Sequence, residues 1–280
     1  MPTAPPALPS HLQQLTSADG ASIRVSLFGG HLCSWQTAEG DERLFMSRAT
    51  FWDGSAALRG GVPVIFPQFG AMGELPKHGF ARTLPWTLEE TTRSDNGDGV
   101  MRLALHHGVQ TAAFAARFRL QLTIRFNAEA LNIDLNIDNL GTQAFAFTAA
   151  LHSYFRVDLM ASRLLGLQDV RYNDSAAGGV PRRESAAPIQ VSSEVDRNYL
   201  QVTRPLELFD GRTKMTISQQ GFEDVVVWNP WRDKAAALRD LADDEYLQFL
   251  CIEAAQVNRA VALPPGQRWT GQQHVIVAAT

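Results

Sequence analysis

Hydrophobic and polar residues alternate most regularly in two neighbouring stretches near the middle of the chain, residues 117–126 and 131–138. In the first stretch, Phe, Leu and Ile occupy the even positions, while Arg, Gln and Thr occupy the odd ones. In the second, Leu and Ile alternate with Asn and Asp. A period of two is typical of strands with one buried face. The short link between the two stretches therefore predicts an antiparallel hairpin.

Shorter alternating stretches and short apolar runs between turn residues predict further strands along most of the chain. These strands are predicted at residues 21–27, 31–36, 44–46, 86–89, 100–106, 145–157, 206–208, 215–217, 225–228, 246–253 and 274–278. One short helix is predicted at residues 234–241, where three alanines favour helical structure. Many short strands separated by turns indicate an all-β protein, folded as a large antiparallel β-sandwich with few short helices.

Residues 51–85 interrupt this pattern with six glycines, four prolines and little periodicity. A segment of that length without regular structure inside a compact domain is usually functional. We therefore predict that it forms the binding loops. Residues 174–193, which are poor in large apolar side chains, are predicted to be mostly loop as well.

The composition is that of an ordinary globular protein, with 45% hydrophobic and 19% charged residues in a chain of 280. The first ten residues contain four prolines, so we assign residues 1–20 to a flexible N-terminal lead-in and residues 21–280 to one domain. The net charge of −4 provides no basic surface overall, and we expect no nucleic-acid partner.

The two cysteines, Cys33 and Cys251, lie in apolar stretches and form neither a disulfide framework nor a C-x-x-C pair. Residues 1–10 lack the charged and apolar regions of a signal peptide. No run approaches the roughly 18 apolar residues that a membrane-spanning helix needs. We therefore expect a cytoplasmic protein that does not associate with membranes.

Two residues are candidates for proton transfer. His152 ends the apolar run of residues 145–151 and precedes aromatic residues, and such an imidazole can exchange protons near neutral pH. Glu253 ends another apolar run, where partial desolvation would raise its pKa toward the range of a general base. The structural alternatives are a hydrogen-bonded core histidine and a strand-end glutamate that is exposed or paired with an arginine.

Three cations lie in the glycine-rich segment: Arg59, Lys77 and Arg82. Guanidinium groups bind phosphate oxygens in a bidentate manner, and lysine adds a point charge, so a phosphorylated ligand is one interpretation. Solvated loop charges are the other. Asp196, farther along the chain, could accept hydrogen bonds from hydroxyl groups or serve only as a turn residue.

The sequence contains no metal-ligand spacing, no G-x-S-x-G, no P-loop and no G-x-G-x-x-G motif. Covalent nucleophiles and nucleotide cofactors are therefore unsupported, and we expect no metal and no cofactor.

Six short runs occur in a specific order along the chain. They are Arg59-Gly60-Gly61-Val62-Pro63, Phe66-Pro67-Gln68-Phe69-Gly70, His78-Gly79-Phe80-Ala81-Arg82, Leu151-His152-Ser153-Tyr154-Phe155, Trp228-Asn229-Pro230 and Cys251-Ile252-Glu253. The series resembles the hexose-6-phosphate mutarotases, the glucose-6-phosphate 1-epimerases of the aldose 1-epimerase superfamily. The resemblance extends from about residue 21 to residue 277 and implies the galactose-mutarotase type of antiparallel β-sandwich, in agreement with the strand pattern.

The resemblance also implies roles for individual residues. His152 matches the catalytic histidine, which would protonate the ring oxygen, and Glu253 the catalytic glutamate, which would take the proton from the C1 hydroxyl. The implied substrate-binding residues are Arg59 and Arg82 for the phosphate, Asp196 for sugar hydroxyls, His78 as a substrate contact and Lys77 at a binding position that varies in the family.

The function expected on this basis is cofactor-independent interconversion of the α and β anomers of a hexose 6-phosphate, with glucose 6-phosphate as the expected substrate, by a monomer. Two alternatives stay open. One is a mutarotase of unphosphorylated aldoses, against which the three loop cations argue. The other is a sugar-phosphate binding protein without turnover, which would need the cations but not both His152 and Glu253.

Overall fold

The computed structural model describes residues 12–279, and its regular structure consists almost entirely of antiparallel strands. The strands are β1 (Leu12–Thr16), β2 (Ser22–Ser26), β3 (His31–Gln36), β4 (Val64–Ile65), β5 (Thr87–Arg93), β6 (Gly99–His106), β7 (Phe118–Phe126), β8 (Ala130–Asn139), β9 (Phe145–Leu151), β10 (Tyr154–Arg156), β11 (Arg163–Leu165), β12 (Arg171–Asp174), β13 (Val180–Arg183), β14 (Val195–Tyr199), β15 (Leu206–Phe209), β16 (Thr213–Gln220), β17 (Asp224–Asn229), β18 (Phe249–Leu263) and β19 (Arg268–Ala279). One α-helix, α1 (Trp231–Ala236), and four short 3₁₀ turns accompany them among the described residues.

Two eight-stranded sheets form the body of the molecule. The first, called the site sheet, has the order β13-β12-β14-β17-β18-β9-β4, with β10 also paired to β18. The second has the order β11-β15-β16-β19-β8-β7-β6-β5, and β1, β2 and β3 form a separate three-stranded sheet. One continuous apolar core contains side chains of both large sheets, such as Leu120 and Ile137 of the second and Leu151 and Val227 of the first. The predicted β-sandwich is therefore confirmed.

The hairpin predicted from the strict alternation is formed by β7 and β8, which pair in register from Phe118↔Asn139 to Phe126↔Leu131. The apolar residues from Phe118 to Phe126 and from Leu131 to Ile137 are buried and the polar residues between them are not, with Asn139 as a buried polar exception at the end. The second predicted hairpin is formed by β15 and β16, and Asp210 caps its turn through the backbone N–H groups of Arg212 and Thr213.

The site sheet has one face on the core and one face that carries polar residues. Asp196 on β14 is opposite Trp228 on β17, and Trp228 is opposite Cys251 on β18. Because side chains two residues apart on a strand point to the same side, Glu253 shares this face. The neighbouring residues on the other side, such as Val227 and Ile252, belong to the main core.

Three predicted boundaries are wrong. The helix predicted at residues 234–241 lies earlier, at Trp231–Ala236, because the chain then turns so that Leu238 and Leu241 pack on the core. The prediction that residues 174–193 are mostly loop is confirmed, although they include β13, an edge strand with four exposed residues that show no hydrophobic alternation. The strand predicted at residues 246–253 is β18, which begins three residues later and continues to Leu263, and the strand predicted at residues 274–278 is the end of β19, which begins at Arg268.

The lead-in assigned to residues 1–20 does not hold over Leu12–Thr16, which pairs with β2 from Leu12↔Ser26 to Thr16↔Ser22. Leu15 packs against the core, and this contact fixes the strand. Residues 1–11 lie outside the described part of the chain. None of the helices formed by residues 12–279 has the length and apolar character of a membrane span.

Candidate active site

His152 lies at a break between two strands rather than inside the single strand predicted for residues 145–157. β9 ends at Leu151 and β10 begins at Tyr154. The backbone N–H of His152 donates to the Pro63 carbonyl (3.0 Å), and the N–H of Ile252 donates to the Ser153 carbonyl (3.1 Å). The break therefore remains anchored to both neighbouring segments, which hold the imidazole over β18.

Glu253 reaches the same point from β18, where it pairs with Val226 of β17. Nε2 of His152 lies 3.2 Å from Oε1 of Glu253, and the two residues are 8% and 1% exposed. Burial raises the pKa of Glu253 well above its usual value, with a further contribution from the charge of Asp196 and an opposing one from Arg82. The sequence could not bring these two residues together, and the structure does so.

Burial also lowers the pKa of His152 well below its usual value, and the neighbouring His78, Arg82 and Arg59 lower it further. The histidine and the carboxyl group therefore favour their uncharged forms, with one proton available between them. Two groups that interact this closely titrate as a pair rather than separately. Nδ1 of His152 and Oε2 of Glu253 are buried and have no hydrogen-bond partner among the described residues.

Aromatic side chains surround the imidazole. The Tyr154 ring stacks on it, with centroids 4.8 Å apart and planes 13° apart. Trp228 meets both rings edge-on at centroid distances of 6.0 Å. Such flat apolar surfaces hold the orientation of the imidazole and exclude water from the proton-transfer pair.

His78 stands beside His152, with ring centroids 6.1 Å apart. Its backbone has a positive φ of 68°, and Gly79 follows at φ 68°, where a Cβ atom would lie 2.2 Å from the Phe66 carbonyl oxygen. The N–H of Gly70 donates to Nδ1 of His78 (3.2 Å), so the neutral ring carries its proton on Nε2. Burial and three nearby cations lower the pKa of His78 to about 3, and the ring is a neutral hydrogen-bond donor.

Arg59 has its guanidinium group fixed by two partners. Nη1 donates to the Tyr154 hydroxyl (3.0 Å) and Nη2 to Oδ2 of Asp240 (3.0 Å). Burial alone would lower the pKa of Arg59, but Tyr154 and Asp240 raise it above its usual value. The guanidinium carbon lies 6.0 Å from the centre of the Trp228 ring, so this arginine borders the aromatic wall of the site.

Arg82 has no carboxylate partner in the structure of residues 12–279. Its Nη2 donates to the backbone carbonyl of Lys77 (3.0 Å), and its buried Nε has no partner there. Burial lowers its pKa, as does the charge of Arg59. A half-buried cation without a carboxylate partner is favourable for binding an anionic group. Lys77 itself is exposed at the rim.

Asp196 lies on the same face of the site sheet, opposite Trp228. Burial raises its pKa, against the opposing charges of Lys234 and Lys77. Nζ of Lys234 is 3.9 Å from its Oδ2. The strand register therefore puts this carboxylate on the same side of the sheet as the proton-transfer pair, and its charge raises the pKa of Glu253.

The structure also adds residues to which sequence reasoning assigns no role in the site. Tyr154 and Trp228 belong to two of the six short runs described above, and their membership of those runs is the signal that could have marked them. Asp240 gives no such signal. It follows Arg239 near the end of the predicted alanine-rich helix, where charged residues are typical of a solvated surface.

A groove of about 1070 Å³ lies elsewhere, beside Arg43, Arg156 and Leu247, and contains none of the site residues. Four arginines and four carboxylates line it, so their formal charges cancel, and no histidine lines it. The grouping of titratable side chains around His152 therefore marks the candidate active site better than cavity size.

Comparison with known proteins identifies the family of this chain. The family model described as aldose 1-epimerase matches residues 11–275. A relative from Cenchrus ciliaris, provisionally named glucose-6-phosphate 1-epimerase, is 33% identical over 94% of this chain and 84% of its own. A relative from Escherichia coli with the same provisional name is 32% identical over 87% of this chain and 83% of its own.

Solved structures agree as well. The crystal structure of a protein from Salmonella typhimurium, provisionally described as a mutarotase, has a TM-score of 0.86 and 27% identity, and the match covers 98% of this chain and 96% of that one. A galactose 1-epimerase from Lactobacillus acidophilus, 13% identical, shares the fold with a TM-score of 0.71 over 95% and 93% of the two chains. The chain therefore belongs to the aldose 1-epimerase family, the mutarotases.

Proposed function

We propose that the protein interconverts the α and β anomers of a hexose 6-phosphate, with glucose 6-phosphate as the preferred substrate. The observation that carries the proposal is the buried pair of His152 and Glu253, 3.2 Å apart, next to two half-buried arginines. Relatives at 32–33% identity, provisionally named glucose-6-phosphate 1-epimerase, support the substrate.

The reaction requires two proton movements. A base removes the proton from the C1 hydroxyl, and an acid protonates the ring oxygen O5 as the C1–O5 bond opens. Rotation about C1–C2 and reclosure on the other face give the second anomer. In the proposed sense, Glu253 takes the proton from O1 and His152 gives one to O5, and the two exchange roles on ring closure.

The proton count of the pair suits this chemistry. In ring opening, the pair gains one proton from O1 and loses one to O5. One shared proton is therefore sufficient for each turnover. Since the two pKa values are displaced toward the uncharged forms, the shared proton favours Glu253. Before ring opening, this proton must therefore move from Glu253 to Nε2 of His152, across their contact of 3.2 Å. A positioned acid or base of this kind contributes roughly a hundred- to ten-thousand-fold.

The arginines support a phosphorylated substrate over a free aldose. Arg59 donates to the hydroxyl of Tyr154, whose ring stacks on His152, and the charges of Arg59 and Arg82 both lower the pKa of His152. A phosphate dianion between them would offset these charges and weaken that effect. Asp196, on the same face of the sheet, would accept hydrogen bonds from the sugar hydroxyls, and the Nε2–H of His78 would donate one.

The test is a coupled assay in a buffer without phosphate, because phosphate itself catalyses mutarotation. Fresh α-glucose 6-phosphate is mixed with a β-specific, NADP-linked dehydrogenase, and the appearance of the β anomer is followed with and without the protein. Free α-glucose with a β-specific glucose oxidase is the parallel arm. We expect acceleration mainly with the phosphorylated sugar, whereas acceleration confined to free glucose would overturn the substrate assignment.

A further inference from the structure

Asp240 forms the one ion pair made by Arg59 among the described residues. The Nη2–Oδ2 distance is 3.0 Å, and the two side chains are 21% and 15% exposed. Both groups are therefore largely withdrawn from water, where an ion pair is weakly screened. The charge of Asp240 also acts on Arg82. It raises the pKa of Arg82, whereas burial lowers it.

Both partners of this pair are attached to one framework. The Arg59 carbonyl accepts a hydrogen bond from the N–H of Ser47 (3.0 Å), and the Ser47 hydroxyl donates to the buried Glu245 (2.6 Å). Glu245 also accepts from the N–H of Ala242 (3.0 Å), two residues beyond Asp240. The contacts close a ring that runs from Arg59 through residues 47, 245 and 242 back to Asp240.

This ring leaves little freedom to the guanidinium plane. One N–H of Nη1 is used by Tyr154 and one of Nη2 by Asp240, so the buried Nε–H and the remaining two N–H donors stay available. Guanidinium groups recognise phosphate through such a fixed fork of donors. The value of the arrangement is that the donors are oriented before a ligand arrives.

We propose that Asp240 is a positioning residue that orients Arg59 for the phosphate end of the substrate, and thereby sets the preference for phosphorylated over unphosphorylated sugars. This inference rests on the proposed function. Its alternative is that Asp240 acts only as a counter-charge that reduces the affinity for anions. The two roles predict opposite effects when the carboxylate is removed.

The experiment measures binding of 1,5-anhydroglucitol 6-phosphate, which lacks an anomeric hydroxyl and cannot be turned over. Calorimetry compares the wild type with Asp240→Ala, Asp240→Asn and Asp243→Ala. The last removes the same charge from an exposed position three residues along the same connection and is the matched control. Unphosphorylated 1,5-anhydroglucitol is titrated in parallel.

We expect Asp240→Ala to raise the Kd of the phosphorylated analogue about tenfold, because a charge-assisted contact that orients Arg59 is lost. Asp240→Asn should raise it less, since the amide oxygen still accepts the hydrogen bond from Arg59. The Kd of the unphosphorylated analogue and the behaviour of Asp243→Ala should not change. Thermal unfolding of each variant provides the check on folding, and Asp240→Asn keeps the comparison valid if Asp240→Ala does not fold.

An unchanged or lower Kd for the phosphorylated analogue in the Asp240 variants overturns this inference alone. An equal rise for both analogues also overturns it, because that result indicates a general structural role. Tight binding of the phosphorylated analogue by a wild type that does not accelerate anomer exchange overturns the proposed function instead. The absence of any binding by the wild type overturns both.

Discussion

Nε2 of His152, at the break between β9 and β10, lies 3.2 Å from Oε1 of Glu253 on β18, and both residues are buried. The contact is maintained by the pairing of Leu151 with Ala254 on one side and of Tyr154 with Cys251 on the other. Desolvation displaces the two pKa values in opposite directions, so the pair keeps one proton that either group can carry. This arrangement is the one that the proposed opening and closure of the sugar ring uses.

Replacing either member of the pair should remove most of the activity while leaving the fold intact. We expect His152→Gln and Glu253→Gln each to lower kcat/KM by roughly a hundred- to ten-thousand-fold. Both glutamines are neutral and close in size, so the thermal midpoint should stay near that of the wild type. His274→Gln, on the second sheet, is the matched control and should be fully active. Near-normal rates in either site variant would exclude the assigned role.

Removing the unpaired guanidinium should separate the two substrate classes. For Arg82→Gln we expect the KM for glucose 6-phosphate to rise about ten- to a hundredfold, since a charge-assisted hydrogen bond contributes about 1.5–3 kcal/mol. The kinetics with free glucose should not change. Arg268→Gln, which removes an exposed arginine paired with Asp138 on the second sheet, is the control. An equal loss with both sugars would show that Arg82 does not recognise the phosphate.

Asp196→Asn tests the contact with the sugar hydroxyls. The carboxylate faces the site from β14, and its replacement by an amide retains an acceptor but removes the charge. We expect a rise in KM of about tenfold for phosphorylated and free sugars alike, because both carry the same hydroxyls. The charge of Asp196 also raises the pKa of Glu253, so its removal should lower that pKa. Steady-state kinetics in which only the phosphorylated sugar is affected would contradict this role.

The sandwich could be predicted where one face of a strand is buried and the other is solvated. β7 and β8 follow this rule, and their alternation marks them without further information. The rule fails for β18, because residues 249–257 are buried on both faces and show no period of two. It also fails for β13, an edge strand with no buried residue.

The site could be predicted only in part, for a similar reason. His152, Glu253 and the loop cations stand out by residue type, but their proximity depends on pairing between strands that are far apart in sequence. Arg59 shows the limit most clearly, because its partner Asp240 lies in a turn that the sequence pattern assigns to a helix. The orientation of a side chain by a distant partner has no local pattern.

The buried histidines should make stability depend on pH. His31 is fully buried, and burial lowers its pKa to about 4, with a further lowering by Arg82 and an opposing hydrogen bond to the Gly60 carbonyl. The unfolded chain takes up a proton near pH 6.5, whereas the folded one does not. Between pH 6.5 and 4, this group therefore reduces the free energy of unfolding as the pH falls.

The measurement is urea unfolding at several pH values in the wild type and His31→Gln. One such group contributes at most about 1.4 kcal/mol per pH unit. Glu253, whose pKa is raised, acts in the opposite sense above pH 4.5 in both proteins, so the difference between the two slopes isolates His31. Between pH 4 and 6.5, we expect the rise of the unfolding free energy with pH to be smaller in His31→Gln, by up to about 1.4 kcal/mol per pH unit. Identical slopes would mean that His31 is protonated in the folded protein.

The most direct test of the central claim is exchange between the α and β anomers of [1-¹³C]glucose 6-phosphate at equilibrium, followed by two-dimensional NMR in a buffer without phosphate. The method needs no coupling enzyme and reports ring opening and reclosure alone. With the wild type, exchange cross-peaks should appear on the timescale of the experiment, and with Glu253→Gln they should fall to the level of the protein-free sample. Equal cross-peaks for the two proteins, or none for the wild type, would contradict the account.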